Sequence, residues 1–392
     1  MTLFTLALGL LLFGSVLSFL LGRSSASAWA GPLVGILGCS AGFVAALSTL
    51  LEGASVALTI DWSLPVGRFG LLLDPLSCLF LLPVFLLGGV AALYGSSSIK
   101  EYAGRRNLGA HWAFFILTVL GLALSMAADN VFLFLVAWEI MSIAPLFCIT
   151  LNDGHADVRE AGREYLIAAH VGVAFLTAML LFFAFRAGSL DFSAMGTASL
   201  SGLDVGIIFV LALIGFGAKA GIMPMHVWLP KAHPVAPSHV SAFLSGALIK
   251  AGLYGLLRVM TLTAPVASWQ AAVLIIVGLV TAFLGILFAL GRQDLKTMLA
   301  YSSSENIGIM VLGLGVGCAG LAYGLPGLSL LGFAGLFLHV LNHSLMKGLL
   351  FLSAGAVLHG AGTTALSSLG GLIKTMPRSA AAFGLGAVAI AG

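Results

Sequence analysis

Charge is scarce in this sequence. Of its 392 residues only 8% are Asp, Glu, Lys or Arg, where a soluble globular chain carries about 25%. So few charges cannot cover a water-facing surface, which excludes an ordinary soluble domain. The formal net charge is only +3 and no run of basic residues occurs, so nothing points to nucleic acid. Cysteine is scarce as well. Cys39, Cys78, Cys148 and Cys318 lie far apart and form no C-x-x-C pair. That argues against an iron–sulfur or zinc site and for four small apolar side chains in helix interiors. Neither a dinucleotide-binding fingerprint nor a P-loop is present. Met1 to Thr5 contain no Lys or Arg, and the apolar run to Leu21 exceeds the roughly 7–15 residues of a signal peptide. Despite the cleavage-like Ala26-Ser27-Ala28, the first segment reads as a retained membrane helix.

What the chain has in abundance is apolar length. Hydrophobic residues make up 60% of it, and 50 glycines suit close helix packing inside a bilayer. A spanning helix needs about 20 apolar residues. Eleven such stretches occur, at 2–21, 29–51, 75–97, 110–128, 130–151, 164–187, 204–224, 236–262, 268–290, 297–317 and 328–359. A twelfth, from Pro377 to Gly392, is too short to cross, so the chain is expected to end inside a helix. The fold class expected is all-α, a polytopic membrane helix bundle. Val56–Leu73 has β-branched residues around a Pro/Gly turn and reads as a short hairpin outside the membrane. Leu190–Leu203, rich in Ser and Gly, reads as a loop or surface helix.

Lys and Arg orient the bundle. Connections after odd-numbered spans hold eleven of them: Arg23, Lys100, Arg105, Arg106, Arg159, Arg163, Lys231, Arg292, Lys296, Lys374 and Arg378. Connections after even-numbered spans hold three, Arg68, Arg186 and Arg258. The odd connections are therefore expected in the cytoplasm and the N-terminus outside. Three of the 17 basic residues remain, Lys219, Lys250 and Lys347, and all fall inside spans. Glu139 lies mid-span in FLVAWEIMSIAPLF, and Glu305 lies nearer the cytoplasmic end of its helix.

A Lys or Asp at a helix centre costs about 2.5–3.5 kcal/mol on insertion scales. Structural ion pairs or snorkelling account for one such residue; four together favour ion transport. Burial lowers a lysine's pKa and raises a glutamate's, so a lysine that changes partners can load and release a proton. His339, His343 and Lys347 are spaced i, i+4, i+8, which puts them on one helix face as a stripe about 12 Å long, with Asn342 beside it. Imidazole suits a relay, accepting on one nitrogen while donating from the other; hydrogen-bonded core histidines are the plainer alternative. Gly215, Gly217, Gly221 and Pro224 flank Lys219. They mark either a broken helix at an ion site or a Gly-rich packing face with a stop at Pro224. His226, His233 and His239, among four prolines, read as a stiff cytoplasmic turn through which protons enter the protein, with no tight metal spacing.

LPKAHPVAPSHVSAFLSGALIKAGLYGLLRV, DLKTMLAYSSSENIGIM and LFLHVLNHSLMKGLLFLSAGAVLHGAGT together resemble the proton-translocating membrane subunits of respiratory complex I, Mrp antiporters and group 4 membrane-bound hydrogenases. The hydrogenase branch, with hydrogenase-4 component B and formate hydrogenlyase subunit 3, is the most similar. The resemblance covers nearly the whole chain. It implies an antiporter-like inverted-repeat fold, with 1–108 as N-terminal helices, 109–265 as a first five-helix repeat and 266–392 as an incomplete second. It implies that Glu139 pairs with Lys219 on a broken seventh helix, that Lys250 passes protons towards the bilayer centre, and that His339, His343 and Lys347 continue the relay. His226, His233, His239 and Glu305 are the uptake or accessory candidates. The resemblance further implies no redox cofactor in this chain, which is not an enzyme by itself. Its expected partners are other membrane subunits, a peripheral redox arm, protons or Na⁺, and the lipid of a cytoplasmic membrane. The family continues through a complete broken twelfth helix, so the outward half-channel is expected to be incomplete here, as in a fragment, a truncated product or half of a split gene.

Overall fold

The structure, a computed structural model, describes residues 1–63 and 66–391; Leu64 and Pro65 of the expected hairpin turn, and Gly392, lie outside the described residues. Among the described residues eleven helices are long and apolar enough to cross a membrane, one for each of the eleven stretches. A 20-residue helix rises about 30 Å, the thickness of a hydrocarbon core. The first six spans are α1 (Thr2–Leu21), α2 (Ser27–Glu52), α3 (Pro75–Ser98), α4 (Leu108–Ala127), α5 (Val131–Ile149) and α6 (Ala156–Ala187). A one-turn helix α7 (Phe192–Met195) precedes α8 (Gly202–Ala220), the seventh span. A short α9 (Leu229–Val235) leads into the eighth, built from α10 (Ser238–Phe243), a π-helical turn at Leu244–Leu248, and α11 (Lys250–Leu262). Then come α12 (Ser268–Leu290), α13 (Leu295–Ala322) and α14 (Pro326–Ala361), followed by α15 (Leu372–Thr375) and α16 (Pro377–Ala391). The hairpin forms as expected, β1 (Val56–Ile60) antiparallel to β2 (Phe69–Leu73) with Val56 opposite Leu73.

Polar caps set where spans begin, because the first N–H groups of a helix need acceptors. Asp74 and Ser77 form a capping box on α3, and Ser201 and Asp204 form another on α8. The Asn130 side chain accepts from the amides of Phe132 and Leu133 at 2.9 and 3.2 Å, opening α5. Asp294 caps α13 through the amide of Thr297 at 2.8 Å. Two of these caps also reach beyond their own helix. Asn130 pairs in a bridge with Asp191, after the following span, and Asp294 pairs with Ala365, after its following span. Asn130 donates to Asp191 at 2.9 Å, and Thr364 donates to Asp294. The two constructions sit at opposite ends of the bundle. Small residues let spans approach closely: a Cβ on Gly308 of α13 would stand 2.3 Å from the amide nitrogen of Ala282 in α12.

Two expectations change. The seventh span stops at Ala220, not Pro224, because Gly221 takes a left-handed turn at φ 79°. A Cβ there would meet Leu229 Cδ1 at 2.0 Å, so only glycine fits. The stiff turn expected around His226 to His239 holds a short helix: α9 begins at Leu229, with Pro230 in its first turn, and buries Leu229, Ala232 and His233 completely. The Leu190–Leu203 stretch is mostly exposed loop, as expected, and the one-turn helix α7 within it buries Phe192 and Met195.

Candidate functional site

Lys219 lies in the last turn of α8, not mid-helix, and is 4% exposed. The carbonyl ends of a helix attract a cation, which eases the burial. Its ammonium donates to Ser142 Oγ at 3.3 Å and Tyr165 Oη at 3.4 Å and lies 5.6 Å from the Tyr165 ring centroid. Among the described residues it forms no direct ion pair with Glu139. Ser142, one turn along α5 from Glu139, takes its hydrogen bond instead. Glu139 faces outward, its side chain 35% exposed, with His170 Nε2 of α6 at 3.9 Å. Glu139 therefore acts on Lys219 through its charge, not through the expected contact.

Lys250 begins α11 directly after the π turn and is fully buried. It donates to the Ser245 carbonyl at 2.6 Å and contacts His343 Nδ1 at 2.7 Å. An ammonium only donates, so Nδ1 accepts and the ring hydrogen sits on Nε2, which has no partner among the described residues. Among the described residues no hydrogen bond joins Lys219 to Lys250, although α8 and α11 pack tightly where Gly252 meets Phe216 and Ala220.

His339, His343 and Lys347 do share one face of α14, with His343 and Lys347 fully buried and the two imidazoles 6.1 Å apart. Asn342 is exposed and plays no part in this face. The amide beside the stripe is Asn306 of α13, whose Oδ1 lies 2.9 Å from His339 Nε2 and whose Nδ2 donates to the Ser302 carbonyl. Lys347 donates to Ser302 Oγ and, at 3.0 Å, to the Leu299 carbonyl. Lys250, His343, His339, Asn306, Ser302 and Lys347 thus form a near-continuous polar line. Glu305 is half-buried, has no hydrogen-bond partner in this line, and faces the charge of Lys347.

The three histidines before the eighth span do not come together. His226 stacks on Phe288. His233 stacks on Phe351 with a centroid separation of 4.8 Å. His239 pairs with His111 of α4, Nε2 to Nε2 at 2.9 Å. Burial pushes the His233 imidazole down to about 3, and the charges of Lys296 and Lys347 push the same way.

Besides Asn306, two buried basic groups escape the sequence reading. Lys296 looks like a loop lysine, yet it is 1% exposed inside α13, donating to the carbonyls of Pro234 at 3.2 Å and Ala236 at 2.5 Å. His111 is 2% exposed in the fourth span; an imidazole in so apolar a stretch was the signal. Among the described residues no cluster of three or more His, Cys, Asp or Glu is arranged for a metal ion.

Comparison with known proteins places the chain in a family. Residues 128–392 match the family model "NADH:quinone oxidoreductase/Mrp antiporter, TM". The chain is 37% identical to hydrogenase-4 component B of Escherichia coli over 99% of its own length and 58% of that protein. It is 32% identical to formate hydrogenlyase subunit 3 of the same organism over 96% of its length and 60% of that protein. The Mrp complex of Dietzia sp. superimposes with a TM-score of 0.83 at 30% identity, covering 99% of this chain and 41% of the matched one. The chain thus spans a little over half the length of these two curated relatives.

Proposed function

Since this chain belongs to the NADH:quinone oxidoreductase/Mrp antiporter transmembrane family, we propose that it carries protons across a cytoplasmic membrane as a subunit of a larger hydrogenase-like complex. The observation that supports this best is the Lys250–His343 contact at 2.7 Å, fully buried and continued through His339, Asn306 and Ser302 to Lys347. An ammonium facing an imidazole lone pair is a donor–acceptor pair across which one proton can move. Lys219, with the charge of Glu139 acting on it, serves as the neighbouring loading site, and Glu305 as the countercharge for Lys347. His226 stands apart from this route. The partners are other membrane subunits and a peripheral redox arm. The Lys/Arg bias puts the connections after odd-numbered spans in the cytoplasm and the N-terminus outside. The matching polar bridges at Asn130 and Asp294, at opposite ends of the bundle, support residues 109–265 and 266–392 as inverted repeats behind an N-terminal unit of 1–108.

The test is proton uptake by proteoliposomes holding the whole complex. Lys219→Ala and Lys250→Ala are each expected to cut uptake at least ten-fold while the complex assembles. Pumping at the parental rate would sink the proposal. The likeness to the Mrp complex supports a second reading, Na⁺/H⁺ exchange, marked by transport that follows an imposed sodium gradient. The buried line favours protons, because its ionisable members are lysines and histidines and a hard cation is bound through oxygen ligands.

A further inference from the structure

A cleft of about 390 Å³ opens between the end of α3, the segment after α9, the start of α13 and the end of α14. It lies on the face that carries most of the Lys and Arg. Tyr94 and Glu101 line its rim, and Pro234, Ala236, His239 and Lys296 line its depth. Lys296 fastens to the Pro234 and Ala236 carbonyls, which follow His233 directly.

His233 is fully buried, and among the described residues neither of its ring nitrogens has a partner. Its carbonyl accepts from Ser241 at 2.9 Å and its ring lies on Phe351, so its backbone and ring are held while its two polar atoms are idle. An apolar ring would fill the same space without stranding two polar atoms in the interior. The charges it faces are Lys296 from α13 and Lys347 from α14. Lys347, in turn, holds the carbonyl of Leu299, one turn along α13 from Lys296. The unpartnered imidazole thus faces the charge of a lysine at the foot of an open cleft and that of a lysine of the buried line.

We propose that Lys296 and His233 are the loading port of the proton line. The Lys296 ammonium gives one proton to the free nitrogen of His233. The opposite ring nitrogen releases its proton to the amine form of Lys347, and a ring flip restores the start. One proton moves and no electron does. The port rests on the proton-carrying function proposed above and adds its point of access.

Proton uptake by proteoliposomes holding the whole complex tests it. Lys296→Arg keeps the charge and the bonds to the two carbonyls, but a guanidinium does not release a proton. Lys296→Arg and Lys296→Met are both expected to lower uptake at least ten-fold. A merely structural lysine would be rescued by arginine. His233→Phe, which preserves the stack on Phe351, is expected to lose as much. A third arm leaves the interior untouched: His359→Cys, exposed at the rim, labelled with a bulky impermeant maleimide in the assembled complex, is expected to block uptake. Parental uptake by Lys296→Arg and His233→Phe, or by the labelled rim variant, overturns the port. If Lys219→Ala and Lys250→Ala still abolish transport in that case, only the port is wrong. If they too pump freely, the proton-carrying function itself fails.

Discussion

At the scale of single residues, polar atoms in the interior are committed to specific partners. Lys250 has two acceptors, and one is His343. His343→Leu leaves a buried ammonium one acceptor short, at a cost of about 1–3 kcal/mol. A lower thermal midpoint of the purified protein, together with at least a ten-fold loss of proton uptake, is the expected outcome. Ser142→Ala removes one of the two hydroxyls that hold the Lys219 ammonium and is expected to slow uptake several-fold with little change in midpoint. Lys219, Lys250 and Lys347 were legible in the sequence because no loop could claim them. Lys296 was not, because it stands two residues after the cap of its helix, where a loop lysine would also stand. Only the carbonyls some sixty residues away, brought back by α9, reveal that it is buried. Asn306 was missed for a similar reason: pattern on one helix cannot name the side chain that a neighbouring helix supplies.

At the scale of elements, the break after Lys219 shows what a local signal can and cannot tell. The glycines and proline around it announced a break, but its position depends on Leu229 pressing on Gly221, a contact across the turn. Gly221→Ala must hold φ 79° and displace Leu229. It is expected to destabilise the protein by about 1–3 kcal/mol, and to lower uptake further by shifting the end of α8 that carries Lys219. Thermal midpoints and uptake rates, measured on the same preparation, separate the two effects. The eleven spans were legible from apolar length alone. The paired bridges at Asn130 and Asp294 were not, because a repeat inverted in space need not repeat in spelling.

At the scale of the whole molecule, the two ends differ. One carries the open cleft. At the other, Arg258 at the end of the eighth span grips Asp74, the cap of α3, with two bonds of 2.6 and 2.8 Å, and also donates to Tyr254. Burial alone would raise the Asp74 carboxyl, but the bonds and charge of Arg258 outweigh it and hold the group below the usual carboxylate range. A lowered carboxyl stabilises the fold fully above its unfolded value of about 3.9 and ceases to do so as pH falls through the lower folded value. Asp74→Asn is therefore expected to lower the thermal midpoint at neutral pH and to flatten its decline below about pH 4. Between these ends runs the eighth span with its π-helical turn at Leu244–Leu248. Each residue of an α-helix advances it by about 100°, so the extra residue of a π turn sets the angular phase of everything that follows. Lys250 stands at the first position after the offset. Taking one residue out, for instance deleting Ala247, would leave the span's composition almost untouched yet swing the ammonium about 100° around the helix axis, off His343 and out of line, so the bundle behaves here as a shaft whose timing is cut into a single turn.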